Sequence, residues 1–582
     1  MKHTILISIG LLMAATAGRA QTLNVVTGNV TTQFSADQAG KMAYSDNGAS
    51  LTINGKTYNT SDITQMYVDE SSVTDYAVKV AYNGTTASVT IAGNIAAQMT
   101  AVVKNAHVAL YQADDVADEI TYTLSGTSTD GSFYMDGEYK CTIALNGLTL
   151  HNPDSAAINI RDGKRIGVLL TDGTTNTLTD GKNGSQKACF AVKGHAEFTG
   201  GGTLNITGNT AHAFWGKEYV QLKKKTGTIN VLGAVNDGFN VNQYFLQNGG
   251  TVSIKGVGDD GIAVSYKTDD NDQIIPLTED ADNTGSMTIN GGTLTVAVTA
   301  ADSKGLKTEG AMTFNDGTIT VTNTGTSTSS GGNRPGGGGG WGGWGGWGGG
   351  SSSTTTSQAS KAIKAEGALT INGGTISATA SSHEAIESKS TIDISGGYVY
   401  AQGSDDAINA ASHFTISGGY VMGYSTGNDG LDANGNMYIK GGTVYAIGSS
   451  SPEMALDANT EGGYKLYVQG GTLIALGGLE NGSQLSQSCY QASWNANTWY
   501  SLSYGNTTLA FKTPSRGGTG MVISAPSTPT LKTGVTATSG TGYFGGLMNE
   551  GATVSGGSEV SLSSYSGGNA MGGGGFGPGG HW

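Results

Sequence analysis

An all-β solenoid, a parallel β-helix with coils of about 23 residues, is the fold class this sequence predicts. The first observation is a recurring glycine turn. It reads GGTLNI at 201–206, GGTVSI at 249–254, GGTLTV at 291–296, DGTITV at 316–321 and GGTISA at 373–378, then GGYVYA at 396–401, GGYVMG at 418–423, GGTVYA at 441–446 and GGTLIA at 470–475. The second is its spacing, 23, 22 and 23 residues between Gly374, Gly397, Gly419 and Gly442. A fixed period of this size marks stacked supersecondary units. The third is alternation with period two inside each unit, as in Met287-Thr288-Ile289 and Thr293-Leu294-Thr295-Val296, which is a strand pattern. Glycine suits the corners because the backbone must reach positive φ there.

Taken in order, residues 1–20 carry Lys2 and His3, an apolar run Ile5–Ala15 and a Gly18-Arg19-Ala20 ending. They predict a cleavable export signal, too short to span a membrane and stay. Residues 21–125 lack the glycine period but hold strand-like runs with Asn-Gly turns at 54–55 and 83–84, predicting a small N-terminal β domain or cap. The solenoid is expected over 126–480, interrupted by an acidic insertion at 267–285 and by a Gly/Ser/Thr-rich insertion at 325–358 with Trp341, Trp344 and Trp347. That second insertion cannot bury a core and is expected to leave the helix as a loop. A closing β cap is expected over 481–566 and a glycine-rich tail over 567–582.

Ninety-five glycines among 582 residues and only 13% charged residues exclude an ordinary helical protein. The net charge of −15 argues against nucleic acid and anionic membranes, and no later run is long enough for a membrane-spanning helix. Three cysteines, Cys141, Cys189 and Cys489, are too few for a disulfide framework and are expected as small buried thiols.

The run DGEYKCTIALNGLTLHNPDSAAINIRDGKRIGVLLTDGTTNTLTDG (136–181), then KGHAEFTGGGTLNITGNTAHAF (193–214), then the DG and DDG coils, resembles a bacterial family of exported carbohydrate-binding domain proteins. That family is similar in fold to β-helical pectate lyases and includes a member that binds acidic plant polysaccharide with calcium. The resemblance covers roughly residues 120–475. It implies a right-handed, calcium-loaded and non-catalytic β-helix, but transfers no individual ligand.

A second repeated element lies between the glycine turns: NDGF (236–239), DDGI (259–262), SKGL (303–306), SKAI (360–363), HEAI (383–386), DDAI (405–408), NDGL (428–431) and PEMAL (452–456). Stacking predicts one column of Asp237, Asp260, Lys304, Lys361, Glu384, Asp406, Asp429 and Glu453, and another of Lys307, Lys364, Glu387, Asn409, Asp432 and Asp457. Like charges one rung apart repel by about 0.9 kcal/mol even in water. Calcium would relieve this, making Asp237, Asp260, Glu384, Asp406, Asp429, Asp432 and Asp457 candidate ligands. Solvent-screened acidic turns are the competing explanation.

Lys304, Lys307, Lys361 and Lys364 form a patch on two neighbouring coils beside the tryptophan insertion. They either meet uronate carboxylates, with the indoles stacked on sugar, or simply spare the acid column its repulsion. Outward columns of Tyr398 with Tyr420, and of Tyr400 with Tyr445, read either as a glycan platform or as a stabilising ladder. Paired acids recurring on coil after coil read as architecture and not as a catalytic pair. The expected protein is therefore a secreted or cell-surface monomer that binds polysaccharide, acidic in kind, through calcium without catalysis. A surface adhesin or spacer and a β-helical polysaccharide lyase are the alternatives.

Overall fold

The computed structural model describes residues 21–327 and 359–568. Residues 1–20, expected as an export signal, the three insertion tryptophans and most of the glycine tail lie outside the described residues. The chain is a β-solenoid of about 14 turns, as the glycine period predicts. Each coil contributes a strand to three parallel ladders. The first holds the strands that precede the glycine turn, such as Leu369–Ile371, Ile392–Ile394 and Phe414–Ile416. The second holds those that follow it, such as Thr375–Ala380, Tyr398–Gly403 and Tyr420–Ser425. The third follows the acidic turn and includes Lys361–Ala365, Ile386–Ser388, Ile408–Ala410 and Leu431–Ala433.

The register aligns apolar side chains into buried columns. Ile319, Ile376, Val399, Val421, Val444 and Leu473 pair rung on rung in the second ladder, each at most 1% exposed. A matching column of Ile363, Ile386, Ile408 and Leu431 runs along the third. At Gly374, φ is +83° and an added Cβ would stand 2.8 Å from the Gly317 carbonyl oxygen, so both the conformation and the coil spacing require glycine. Cys141, Cys189 and Cys489 are free and buried.

The parallel pairing reaches back beyond residue 126. Ala77–Asn83 lies parallel to Ile120–Ser128, and Ala106–Gln112 lies parallel to Gly131–Asp136. Antiparallel strands Thr22–Thr27, Val30–Ser35 and Gln65–Asp69 complete that end. At the other end Met521–Ser524 pairs antiparallel with Leu473–Leu476 and stops the stack. A six-stranded antiparallel sheet built from residues 499–559 follows it.

That sheet corrects the tyrosine columns. Tyr398 and Tyr420 do pair across one rung, with rings 5.1 Å apart. Met422, however, separates Tyr400 from Tyr445. Tyr445 is fully buried, packs on Phe511 and donates its hydroxyl to the Lys512 carbonyl at 2.8 Å. The Tyr420 hydroxyl donates to Glu550, and Tyr400 lies against Phe544. Met422, Tyr445 and Ile474 are the outward residues of their strands and are all apolar, so a second core forms outside the helix with Tyr500, Leu502, Leu531 and Met548. Burying that apolar face outweighs leaving it as an open platform.

Candidate functional site

The acidic turn leads into the third ladder, and its aspartates have a structural duty. Each accepts, through Oδ1, the backbone N–H of the equivalent residue one coil on. Asp237 accepts from Asp260 at 3.0 Å, Asp260 from Lys304 at 2.7 Å, Asp406 from Asp429 at 3.0 Å and Asp429 from Met454 at 2.5 Å. The last contact corrects one alignment, since Met454 and not Glu453 occupies the column. Leu456 pairs with Leu431, which sets this register. The second carboxylate oxygen remains for other partners.

Those partners differ along the solenoid. On the middle coils they are cations. Lys304 pairs with Lys361 and Lys307 with Lys364, as the sequence predicts for neighbouring coils. They do not form an open ammonium patch. Lys307 Nζ lies 3.2 Å from Asp260 Oδ2, and Lys361, 1% exposed, lies 2.9 Å from Glu384 and 2.6 Å from Glu387. Lys364 pairs with Glu366, and Lys304 donates to the Asp302 carbonyl. Buried charges demand such pairing, which is why the side chains turn to the protein. His383 adds a contact to Glu384 and lies 3.2 Å from Asp405. Burial pushes the Glu384 carboxyl upward, but His383 and Lys361 outweigh it and hold it at about 2.

Asp237 and Asp260 do come together, with Asp259 as a third carboxylate. Burial and its two aspartate neighbours push Asp259 up to about 6, while His212 lies 3.2 Å from Asp237 and Lys307 beside Asp260. Glu384 meets Lys361 of the preceding coil and also forms, with His383 and Asp405, a further group whose ligand atoms lie within 4.8 Å of one another.

From Asp406 onward the cations cease. Asp429, Asp432 and Asp457 present carboxylate oxygens within 4.8 Å of one another. The Asn409 amide joins Asp406 at 3.0 Å to Asp432 at 2.6 Å. Among the described residues, no lysine, arginine or histidine pairs with Asp406, Asp429, Asp432 or Asp457. Burial raises Asp429 and Asp432 to about 7, and neighbouring carboxylates add to this. Burial together with a Glu480 hydrogen bond raises Asp457 to about 9, and Asp406 stands well above its ordinary value. Glu480 extends the column, because Leu479 bridges Leu456. Its signal was present in Leu479-Glu480, which repeats Leu431-Asp432 and Leu456-Asp457.

These features define a parallel β-helix that concentrates unneutralised carboxylates on its last coils. The description "carbohydrate-binding domain-containing protein" belongs to the family that matches residues 115–407, 293 of the 582 residues, and this chain is a member of that family. A carbohydrate-binding domain-containing protein of Acetivibrio thermocellus is 30% identical over 98 residues, which cover 15% of this chain and 34% of the relative. This chain thus spans about a third of that relative's length. A solved structure, described as the polysaccharide lyase-like protein from C. thermocellum in a gadolinium derivative, aligns with a TM-score of 0.34 and 21% identity over 43% of this chain and 93% of that one.

Proposed function

We propose that this chain is an exported, non-catalytic module that binds acidic polysaccharide through calcium held on the last coils of the solenoid. The observation that carries the reading is the run Asp406, Asp429, Asp432 and Asp457, half-buried to buried and without a cation among the described residues. Their donor set fits the group, since calcium takes six to eight hard oxygen ligands in flexible geometry. Asp429, Asp432 and Asp457 would hold it, with Asp406 and Glu480 at the flanks. When bound, the ion supplies a positive charge that a uronate carboxylate can share. The Asp406 and Asp429 Oδ1 atoms stay with the backbone and keep the coils in register, and Asn409 fixes the spacing of two carboxylates. This structural use of the acids supports binding over catalysis. The apparent export signal and the net charge of −15 fit an extracellular, cation-dependent protein.

Affinity electrophoresis tests the proposal. Polygalacturonate in the gel should retard the protein with calcium present, and chelator should release it. Asp429→Asn/Asp432→Asn should migrate as though chelator were present, while neutral glycans should retard all forms less. Equal mobility on every glycan, with and without calcium, would sink the proposal. Growth of ultraviolet absorbance from unsaturated uronide would replace binding with lyase activity.

A further inference from the structure

The third ladder carries a second charged feature, opposite in sign and several coils before Asp406, Asp429, Asp432 and Asp457. Ile160, Val192 and Gly216 pair on consecutive rungs. The next residues, Arg161, Lys193 and Lys217, continue the ladder, each donating its N–H to the preceding coil at 2.7–2.9 Å. Three cations therefore stack one rung apart, at about 4.8 Å of backbone spacing. Lys187 joins them, its ammonium 4.5 Å from the centre of the Trp215 ring. Trp215 pairs in register with Ala191 on the outward face, in a small apolar cluster separate from the main core.

These side chains line a cleft of about 420 Å³, together with Asn159 and Gln186. That volume lies within the range of small-ligand pockets. Among the described residues, no carboxylate forms an ion pair with Arg161, Lys187, Lys193 or Lys217. Asp162 feels the charge of Lys193 and its Oδ2 has no hydrogen-bond partner among the described residues, but the two form no ion pair. Asp136 accepts from the Tyr134 hydroxyl, Asp162 is buried beneath and accepts from the Lys164 N–H, and Glu218 pairs with His195 and Lys267. Gln186 closes one side of the cleft, its amide nitrogen donating to Asp180 and Thr210. In a chain of net charge −15, four unpaired cations around an indole require an explanation.

The geometry points to a calcium-independent subsite for an anionic sugar residue, with Arg161, Lys193 and Lys217 meeting its carboxylate or sulfate and the exposed edge of Trp215, beside Lys187, meeting its ring. Aromatic surfaces beside converging polar groups suit a sugar, and stacked cations suit a charged one. The inference rests on the carbohydrate-binding reading but on none of the proposed calcium ligands.

Calorimetric titration in EDTA tests it, using an oligogalacturonate, a sulfated oligosaccharide and a neutral oligosaccharide of equal length. An anionic sugar should bind in EDTA, and the carboxylate and sulfate arms identify which anion is preferred. Lys193→Gln/Lys217→Gln should weaken that binding by about tenfold or more, that is by about 1.4 kcal/mol or more. Lys187→Gln is a second variant, read by a change in tryptophan fluorescence that Trp215→Phe abolishes. Asp429→Asn/Asp432→Asn should bind normally under these conditions. Absent binding in EDTA, equal binding of the neutral sugar, or unchanged affinity in the lysine variants would overturn the inference. A protein retarded by polygalacturonate with calcium but silent in EDTA would retain the calcium proposal and lose only this one.

Discussion

The coils from Lys304 to Glu387 and those from Asp406 to Glu480 share one backbone plan but neutralise their acids differently. In both, an outward column follows the apolar residue, running Lys307, Lys364, Glu387, Asn409, Asp432 and Asp457. In the first region lysines fill the positions between carboxylates and close the charge within the protein. In the second the lysines are replaced by Asn409 and more acid, and the charge remains open. The backbone thus sets where charges stand, and the choice of Lys or Asp at one position per coil decides whether an ion is wanted from outside.

The largest effect should come from opening the closed region. Lys361→Met leaves Glu384 and Glu387 buried without their shared ammonium, although Lys389 still reaches Glu387. Removing one partner of a buried pair costs about 3–5 kcal/mol. Denaturant unfolding in chelator should show a loss of that order, and calcium should restore part of it. A variant as stable as the parent would mean that Lys361 is dispensable and that the contrast between the regions is superficial.

The next effect is opposite dependence on pH. Glu384 sits at about 2 in the folded chain, below its ordinary 4.5. Its contribution is present above about pH 4.5 and lost as pH falls toward 2. Asp429 and Asp432 sit at about 7, above their ordinary 3.8, facing Glu384, Asp405 and Asp406 on the preceding coils and Glu453, Asp457 and Glu480 on the following ones. Between pH 4 and 7 the folded chain keeps protons that the unfolded chain releases, so in chelator stability should fall as pH rises. Thermal melts in EDTA should show a decline over this window. Asp429→Asn/Asp432→Asn should flatten it, and a slope unchanged by that pair would assign the decline to other groups.

The coil was legible because its signals are local. The glycine turns and the period-two alternation each concern a few adjacent residues, and stacking repeats them. The acid columns were legible for the same reason, apart from the one-residue slip at Glu453, where Pro452 and Met454 blur the motif. What escaped required knowledge of the other side of each strand. The alternation reads Tyr445 as exposed because Val444 points inward, yet VM at 421–422, VY at 444–445 and LI at 473–474 are apolar on both faces. Two apolar faces signal cover on both sides, here by the C-terminal sheet. The lysines were equally ambiguous, since sequence spacing cannot say whether an ammonium turns toward solvent or along the ladder. The cleft around Trp215 combines residues from three coils of irregular length, 24 to 32 residues apart, so no single motif marks it.

The smallest effect tests the comparison by transplanting one region's solution into the other. Lys307 stands one coil beyond Asp260 in the outward column and neutralises it from there. Asp432 holds the same relation to Asp406, one coil on beside Asn409. Asp432→Lys should therefore place an ammonium against Asp406 as Lys307 is placed against Asp260. It removes one of the unneutralised acids and adds a counter-charge, so in chelator the variant should gain about 1 kcal/mol, the upper range for a partly exposed pair. Calcium at about one hundred times its dissociation constant would stabilise the parent by about 2.7 kcal/mol, and the variant should lose that response. Paired melts with calcium and with chelator read both quantities at once. If Asp432→Lys still responds to calcium as fully as the parent, the ion is held elsewhere on the solenoid and the open column is not its site.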